Sequence, residues 1–262
     1  MWGIIPAAGN GTRMQPLAFS KELLPVGARL DGDTERPRAV SEYLIERMLR
    51  AGADKIGFVI SRWKFDILQY YGGEIGDAAI VYLVQPEPAG LCDAIFRALP
   101  LIAPDESVLV GLPDTIWMPD DAFARLPEDG LAFLTFPVAQ PELFDAVVSD
   151  GAGRVHEIQV KQQGAQSNWI WGAFRMPGYV LHELYHLWCE RDRADEYIGT
   201  LVNAYLAHGG NAIAVPAGSA YVDVGTLGGY REAMRLLSTP SPNERRIEPL
   251  VARQLAAKTG RR

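Results

Sequence analysis

Little in this sequence points to export or to a membrane. Its 262 residues hold two cysteines, Cys92 and Cys189, too few for a disulfide framework and without metal-ligand spacing. Two free thiols suit a reducing compartment. No apolar run approaches the ~18 residues of a membrane-spanning helix. The opening residues carry no basic leader, and their apolar stretch is too short for a secretory signal; a cytoplasmic protein without a membrane partner is expected. A basic excess is also missing. Lys+Arg is 25 against Asp+Glu 32, for a net charge of −7. That argues against a nucleic-acid binder, whose affinity would rest on phosphate neutralisation. The charge is uneven, because from Glu244 onward six basic residues accompany two acidic ones. Residues 239–262 therefore read as a basic tail, solvated and separate from the main domain.

What is present is ordinary globular composition, 48% hydrophobic and 22% charged, which excludes low-complexity and disordered classes. Short apolar runs at Trp2–Ala8, Ile56–Ser61, Ile80–Val84 and Ser107–Gly111 predict strands. Between them, helical spacing marks Ser41–Ala51, with the stripe Leu44, Ile45, Met48 and Leu49, then Trp63–Tyr71 and Leu91–Leu99. This alternation predicts an α/β fold with a mostly parallel sheet and helices on both faces. After Pro127 the pattern changes. Leu131–Val138, Ala146–Ser149, Val155–Val160 and Trp169–Met176 are strand-like, and helical patterns return at Tyr179–Glu190, Glu196–His208 and Gly228–Leu237. A smaller mixed or antiparallel region is expected there. The predicted division is one domain over 1–238, its first part about 1–127 and its second about 128–238.

Between the first strand and a helix-compatible stretch lies Ala7-Ala8-Gly9-Asn10-Gly11-Thr12-Arg13. Glycines let successive N–H groups turn toward an anion. Arg13 adds a fixed bidentate cation, and Lys21 a mobile one. Two nucleotide signatures are absent. There is no G-x-x-x-x-G-K-S/T, and Met14 stands where G-x-G-x-x-G needs its third glycine.

The longer run Ile4-Ile5-Pro6-Ala7-Ala8-Gly9-Asn10-Gly11-Thr12-Arg13-Met14-Gln15-Pro16-Leu17, followed by Ser20-Lys21-Glu22-Leu23-Leu24-Pro25-Val26, resembles the signature of the sugar-1-phosphate nucleotidylyltransferases. That signature reads G-x-G-T-R-L-x-P-L-T, then P/S-K-x-L-L-P-V. Further blocks follow in the family's order. Gln85-Pro86-Glu87-Pro88-Ala89-Gly90-Leu91 is similar to the segment that cups a pyrimidine in the thymidylyl- and uridylyltransferase branch. Val108–Asp114 resembles the strand ending in a metal-binding aspartate. Ser167-Asn168 with Gly172 looks like S-N-x-x-x-G, and Tyr221–Thr226 resembles W-x-D-x-G-T, whose aspartate is the second metal ligand.

The resemblance implies a Rossmann-like fold. It also implies a reaction in which dTTP or UTP and a sugar 1-phosphate give a nucleotide sugar and pyrophosphate with Mg²⁺. Ala8, Gly9, Gly11, Thr12, Arg13, Gln85, Gly90 and Asp114 would bind the nucleotide, and Asp114 and Asp223 the metal. Arg13, Lys21 and Lys161 would be catalytic, and Lys161, Asn168 and Gly172 would hold the sugar phosphate. A homo-oligomer is implied by the same likeness. Under these roles Asp114→Asn should abolish turnover and leave melting nearly intact.

Departures gather on the sugar side. Gln159 and Val160 replace the carboxylates of E-E-K-P, Thr115 replaces an asparagine, and Asp145-Ala146-Val147-Val148 replaces Y-G-V-V. The stretch Arg29–Arg36 looks inserted. Three other readings compete. His182-Glu183-Leu184-Tyr185-His186 matches the zinc-protease pattern H-E-x-x-H. At about 100° per residue, however, both histidines fall opposite the stripe of Val180, Leu181, Leu184, Leu187 and Trp188. They are expected to face solvent, and nothing beyond Glu196 offers a third ligand. Asp31-Gly32-Asp33 matches the D-x-D of glycosyltransferases, which use nucleotide sugars, but reads as a surface loop. A binding-only homologue is the third reading. It would have no need of Arg13, Lys21, Asp114 and Asp223 together.

Overall fold

Alternation along the first strand decides how the chain is layered. In a strand successive side chains point to opposite faces. In the computed structural model, which describes residues 1–238 apart from Gly32, β1 (Trp2–Pro6) sends Trp2 and Ile4 into one core and Ile5 into another. A strand buried on both faces needs cover on both, and helices supply it.

A hairpin, β2 (Pro25–Asp31) and β3 (Thr34–Ala39), leads into α1 (Val40–Arg50). Then follow β4 (Lys55–Ser61), α2 (Phe65–Tyr71), the short β5 (Glu74–Ile75), β6 (Ala78–Gln85), α3 (Gly90–Phe96) and β7 (Ser107–Gly111). Strands β7, β1, β4 and β6 are neighbours and parallel. Residues of α1 and α2 pack on one face with Ile5, Ile56, Phe58 and Leu109. Residues of α3 pack on the other with Ile4, Val59, Val108 and Val110. The predicted stripe of α1 is the one used: Leu44, Ile45 and Met48 are fully buried.

The second half continues the same sheet in the antiparallel sense. After β8 (Thr115–Met118) come β9 (Leu131–Pro137), β10 (Asp145–Ser149), β11 (Val155–Val160) and β12 (Trp169–Pro177). Strand β12 runs antiparallel to β7 and, further back along the same edge, to β10, and antiparallel to β9 along its other edge. Helices α4 (Gly178–Glu190) and α5 (Ile198–Ala207) cover the α3 face. Strand β13 (Ala212–Val215) joins β9 in parallel. Strand β14 (Ala220–Asp223) leaves the main sheet and pairs antiparallel with β8, and α6 (Leu227–Ser238) packs on this pair and on β2. No helix among the described residues is long and apolar enough to cross a membrane. The basic tail, 239–262, lies outside the described residues.

Two expectations need correction. The Asp31 segment is not a free loop, because Asp31 ends β2 and pairs with Thr34. Only two residues separate the strands, Gly32-Asp33, the connection length of a tight hairpin. His182 also does not face open solvent. It is half-buried, and its Nε2 lies 3.0 Å from the Ile102 carbonyl oxygen, while His186 is exposed. Among the described residues no group of three potential ligands gathers there, so H-E-x-x-H is part of an ordinary helix.

Candidate active site

The parallel strands end on one side of the sheet, where open α/β folds place their ligands. A cleft of about 440 Å³ opens there. Its lining includes Ala8, Gly9, Arg13, Lys21, Gln85, Gly90, Asp114, Lys161 and Asp223 from the expected set. Gly11, Thr12, Asn168 and Gly172 are not in that lining. Asn168 is exposed and uses its carbonyl oxygen to accept from the Val138 N–H, 2.9 Å away. Gly172 acts by lacking a side chain, since a Cβ there would stand 2.6 Å from the Tyr221 ring and 2.7 Å from that of Phe136. It makes room for the cleft wall rather than forming it.

At one end is the glycine loop that follows β1. Gly11 has φ +63°, and a Cβ there would stand 2.9 Å from Lys21 Cδ. The glycine thus lets the loop turn left-handed and the lysine stem lie against it. Lys21 Nζ donates to Asp114 Oδ2 at 2.5 Å, with the two side chains 16% and 13% exposed. Burial works against charge on Lys21, but Asp114, Glu22 and Asp223 outweigh it and raise its pKa above the ordinary lysine value. Burial likewise opposes the Asp114 carboxylate, yet Lys21, a backbone hydrogen bond and Arg13 hold its pKa below the usual range. Both groups stay charged.

Asp223 arrives from a distant part of the chain. Antiparallel pairing of β14 with β8 sets Asp223 opposite Thr115, and the Val224 N–H donates to the Asp114 carbonyl oxygen at 2.8 Å. Arg13 Nη1 donates to Asp223 Oδ2 at 3.1 Å, with the arginine 62% exposed. An ion pair this open is worth little, so the guanidinium is free to exchange the carboxylate for a phosphate.

The two aspartates fit a magnesium ion. A Cβ added at Gly225 would stand 2.8 Å from Asp223 Oδ1 and 3.2 Å from Asp114 Oδ2. Gly225 therefore leaves a gap lined by oxygens of both carboxylates and by Arg13 Nη2, 3.1 Å from the same Cβ position, a cation that a metal would have to displace. Mg²⁺ favours hard oxygen ligands, one or two carboxylates completed by phosphate and water. No third potential protein ligand joins them among the described residues.

The middle of the cleft is made by the segment leading into α3. Pro88, Gly90, Leu91 and Ala94 give it an apolar lining. Gln85 Nε2 donates to Asp93 Oδ2 at 2.8 Å and to the Gly90 carbonyl oxygen at 3.2 Å. The Asp93 carboxylate, itself paired with Arg97, can only accept, which fixes the amide orientation and leaves Oε1 as the open acceptor.

At the other end Lys161 follows β11 in a turn with φ 46°, its ammonium 4.6 Å from the Tyr197 ring centre. Around it stand Phe144, Asp145, Trp171 and Tyr221. Burial lifts the Asp145 pKa against the opposing pull of Trp171 and Lys161. Burial, with Asp223 and Asp114 nearby, pushes the Tyr221 phenol well up, so it remains neutral.

These aromatic residues and Glu22 were not legible as site residues. Strand alternation shows only that an aromatic is inside, not which end of the sheet it reaches. Lys64 was missed as well. Its buried Nζ donates to the Ala7 carbonyl oxygen at 2.6 Å and to Glu22 Oε1 at 2.7 Å, tying α2 to the glycine loop.

Known proteins share this architecture. The chain is 26% identical over 232 residues to a UTP–glucose-1-phosphate uridylyltransferase of Haloferax volcanii, covering 86% of this chain and 91% of that protein. It is 28% identical over 251 residues to a glucose-1-phosphate thymidylyltransferase of Neisseria meningitidis, covering 91% and 83%. Its fold matches the UTP-bound UGPase of Acinetobacter baumannii with a TM-score of 0.73 over 99% and 98% of the two chains, at 16% identity. The family model described as nucleotidyl transferase matches residues 2–239, and with that match over nearly the whole chain, the protein belongs to the nucleotidyl transferase family.

Proposed function

We propose that this protein joins dTTP or UTP to a sugar 1-phosphate, forming a nucleotide sugar and pyrophosphate. The observation that carries this reading is the meeting of Arg13, Lys21, Asp114, Lys161 and Asp223 in one cleft. They lie up to 210 positions apart.

A phosphate oxygen of the sugar 1-phosphate attacks the α-phosphorus of the nucleotide. The new O–P bond forms as the bond from the α-phosphorus to the bridging oxygen breaks, and pyrophosphate leaves with that electron pair. Both reactants are polyanions, so the protein must supply cations and alignment rather than a covalent partner. The Gly9–Arg13 loop and the exposed Arg13 hold the β- and γ-phosphates. Lys21, already next to Asp114, balances charge building at the α-phosphate, and Lys161 holds the sugar phosphate from the opposite end. Asp114 and Asp223 would hold Mg²⁺, which when bound neutralises phosphate charge. Leu91 and Pro88 face the base, and Gln85 Oε1 accepts the imide N–H of thymine or uracil, a donor that cytosine lacks.

Pyrophosphate release is measured with Mg²⁺ and each of dTTP, UTP, CTP, ATP and GTP, against a panel of sugar 1-phosphates. Release that requires dTTP or UTP together with a sugar phosphate is expected. Release independent of sugar phosphate, or only with purine nucleotides, would overturn the reading, as would silence throughout.

A further inference from the structure

Four carboxylates line the cleft: Glu22, Asp114, Asp145 and Asp223. Three are engaged by cations, Glu22 by Lys64, Asp114 by Lys21 and Asp223 by Arg13. Among the described residues Asp145 has no such ion pair. Its hydrogen-bond partner is a neutral N–H, with Trp171 Nε1 donating to Oδ2 at 3.2 Å, and Oδ1 is left without one. The surroundings offer it little else. Leu143, Phe144, Trp171, Tyr197 and Tyr221 form that end of the cleft. Asp145 is half-buried, and a ligand that shuts water out without donating to it would leave the carboxylate unpaired at a cost.

Strand pairing places Asp145 close to Lys161. Asp145 stands opposite Val160 in the β10–β11 register, and the Lys161 N–H donates to the Phe144 carbonyl oxygen at 2.9 Å. The cation assigned to the sugar phosphate and the unpaired carboxylate are thus tied together by backbone. A ligand with its phosphate on Lys161 brings its ring into the aromatic end, beside Asp145.

We infer that Asp145 selects the sugar, accepting a hydrogen bond from a hydroxyl or amino group of the ring while Trp171 fixes its other oxygen. This rests on the reaction proposed above. An acceptor that a bound sugar closes off from water discriminates sharply, because a ligand lacking the donor leaves it unpaired. The aromatic walls pack against the apolar faces of the ring and offer few alternative polar partners. One substituent therefore dominates selection.

The test is steady-state kinetics of the wild type, Asp145→Asn, Asp145→Ala and Trp171→Phe, with dTTP or UTP. The sugar probes are glucose 1-phosphate, galactose 1-phosphate, their deoxy analogues and glucosamine 1-phosphate. In Asp145→Ala the KM for the sugar phosphate should rise about tenfold or more, with the nucleotide KM within about twofold. Wild type should reject one deoxy analogue by about a hundredfold or more, and Asp145→Ala should lose most of that discrimination. Trp171→Phe, which removes only the N–H, should move the same constant by less. Should Asp145→Ala fail to fold, as judged by its melting curve, Asp145→Asn and Trp171→Phe still report. The glucosamine arm identifies the donor: higher kcat/KM than with glucose 1-phosphate means an ammonium, lower means a hydroxyl. An active wild type whose Asp145 variants leave the sugar-phosphate KM unchanged, or raise both KM values alike, overturns this inference alone. A wild type silent with every sugar phosphate overturns the proposed reaction and the inference with it.

Discussion

Lys21 and Asp114 neutralise each other inside the cleft, Nζ to Oδ2 at 2.5 Å, in a setting where both side chains are largely buried. Arg13 and Asp223 form a second, open pair beside it. The site thus holds its cations on the two carboxylates proposed above to take the metal. In the proposed reaction, a metal on the two aspartates would release Lys21 and Arg13 to the phosphates.

Removing the Asp114 charge tests that exchange. Asp114→Asn should lower kcat by about a thousandfold or more, as expected when a charged group central to phosphate alignment is lost. The sequence alone suggests unchanged melting, but the buried pair alters that expectation. Lys21 would keep its charge with only Glu22 and Asp223 nearby. A loss of about 1–3 kcal/mol follows, or roughly 3–10 °C in Tm for a chain of this size. Differential scanning calorimetry checks it, and an unchanged Tm would show that the pair is not formed in solution.

Acid should weaken the protein through a second cluster, on α1. Glu46 lies between Arg38 and Arg50, with Arg50 Nη2 donating to Oε1 at 2.6 Å. Burial opposes its charge, but Arg38 and Arg50 outweigh burial and lower its pKa from 4.5. A depressed carboxylate pKa gives stability that is present above the unfolded value and lost as pH falls through the folded one. The Tm difference between wild type and Glu46→Gln should therefore be largest near neutrality and shrink below about pH 4.5. A difference constant from pH 7 to pH 3 would contradict this.

Gly90 cannot be replaced cheaply. Its φ is +84°, and a Cβ would stand 2.6 Å from the Glu196 Cα, against backbone that has no room to rotate away. Gly90→Ala should cost about 1–2 kcal/mol for the left-handed conformation and about 1–3 kcal/mol for overpacking. Because the segment faces the proposed base site, the KM for dTTP or UTP should rise while that for the sugar phosphate changes less. Equal shifts in both would count against a base-binding role.

Lys161→Ala should do the reverse. The residue is exposed, so Tm should hold within about a degree, as for most surface substitutions. Losing a charge-assisted hydrogen bond of about 1.5–3 kcal/mol should lower kcat/KM for the sugar phosphate by roughly 10- to 100-fold. The nucleotide KM should barely move. A variant with wild-type constants would remove Lys161 from the site.

Periodicity and turn chemistry were enough to find most strands and helices, because Ile4, Leu44, Met48 and Phe58 sit where local alternation requires burial. The hairpin at Asp31–Thr34 escaped because β3 is polar and mostly exposed, and along β2 the apolar residues do not match the buried ones: Leu30 is exposed while Arg29 is buried. Asn168 and Gly172 show the limit of a motif, which gives residue identity but not direction. One turns its side chain to solvent, and the other is space reserved for Tyr221.

The sequence by itself determined the α/β alternation, the glycine loop after β1 and the chemical kinds of group available: two cations near the loop and two aspartates after strands. Those features depend on neighbours within a few residues, and local sterics and hydrophobic period carry them. Tertiary structure decided which groups meet. The pairing of β8 with β14 brings Asp114 to Asp223, and the pairing of β10 with β11 puts Asp145 beside Lys161. Such pairings form between segments distant in the chain, because backbone hydrogen bonds and packing on both sheet faces are satisfied together only in the complete fold.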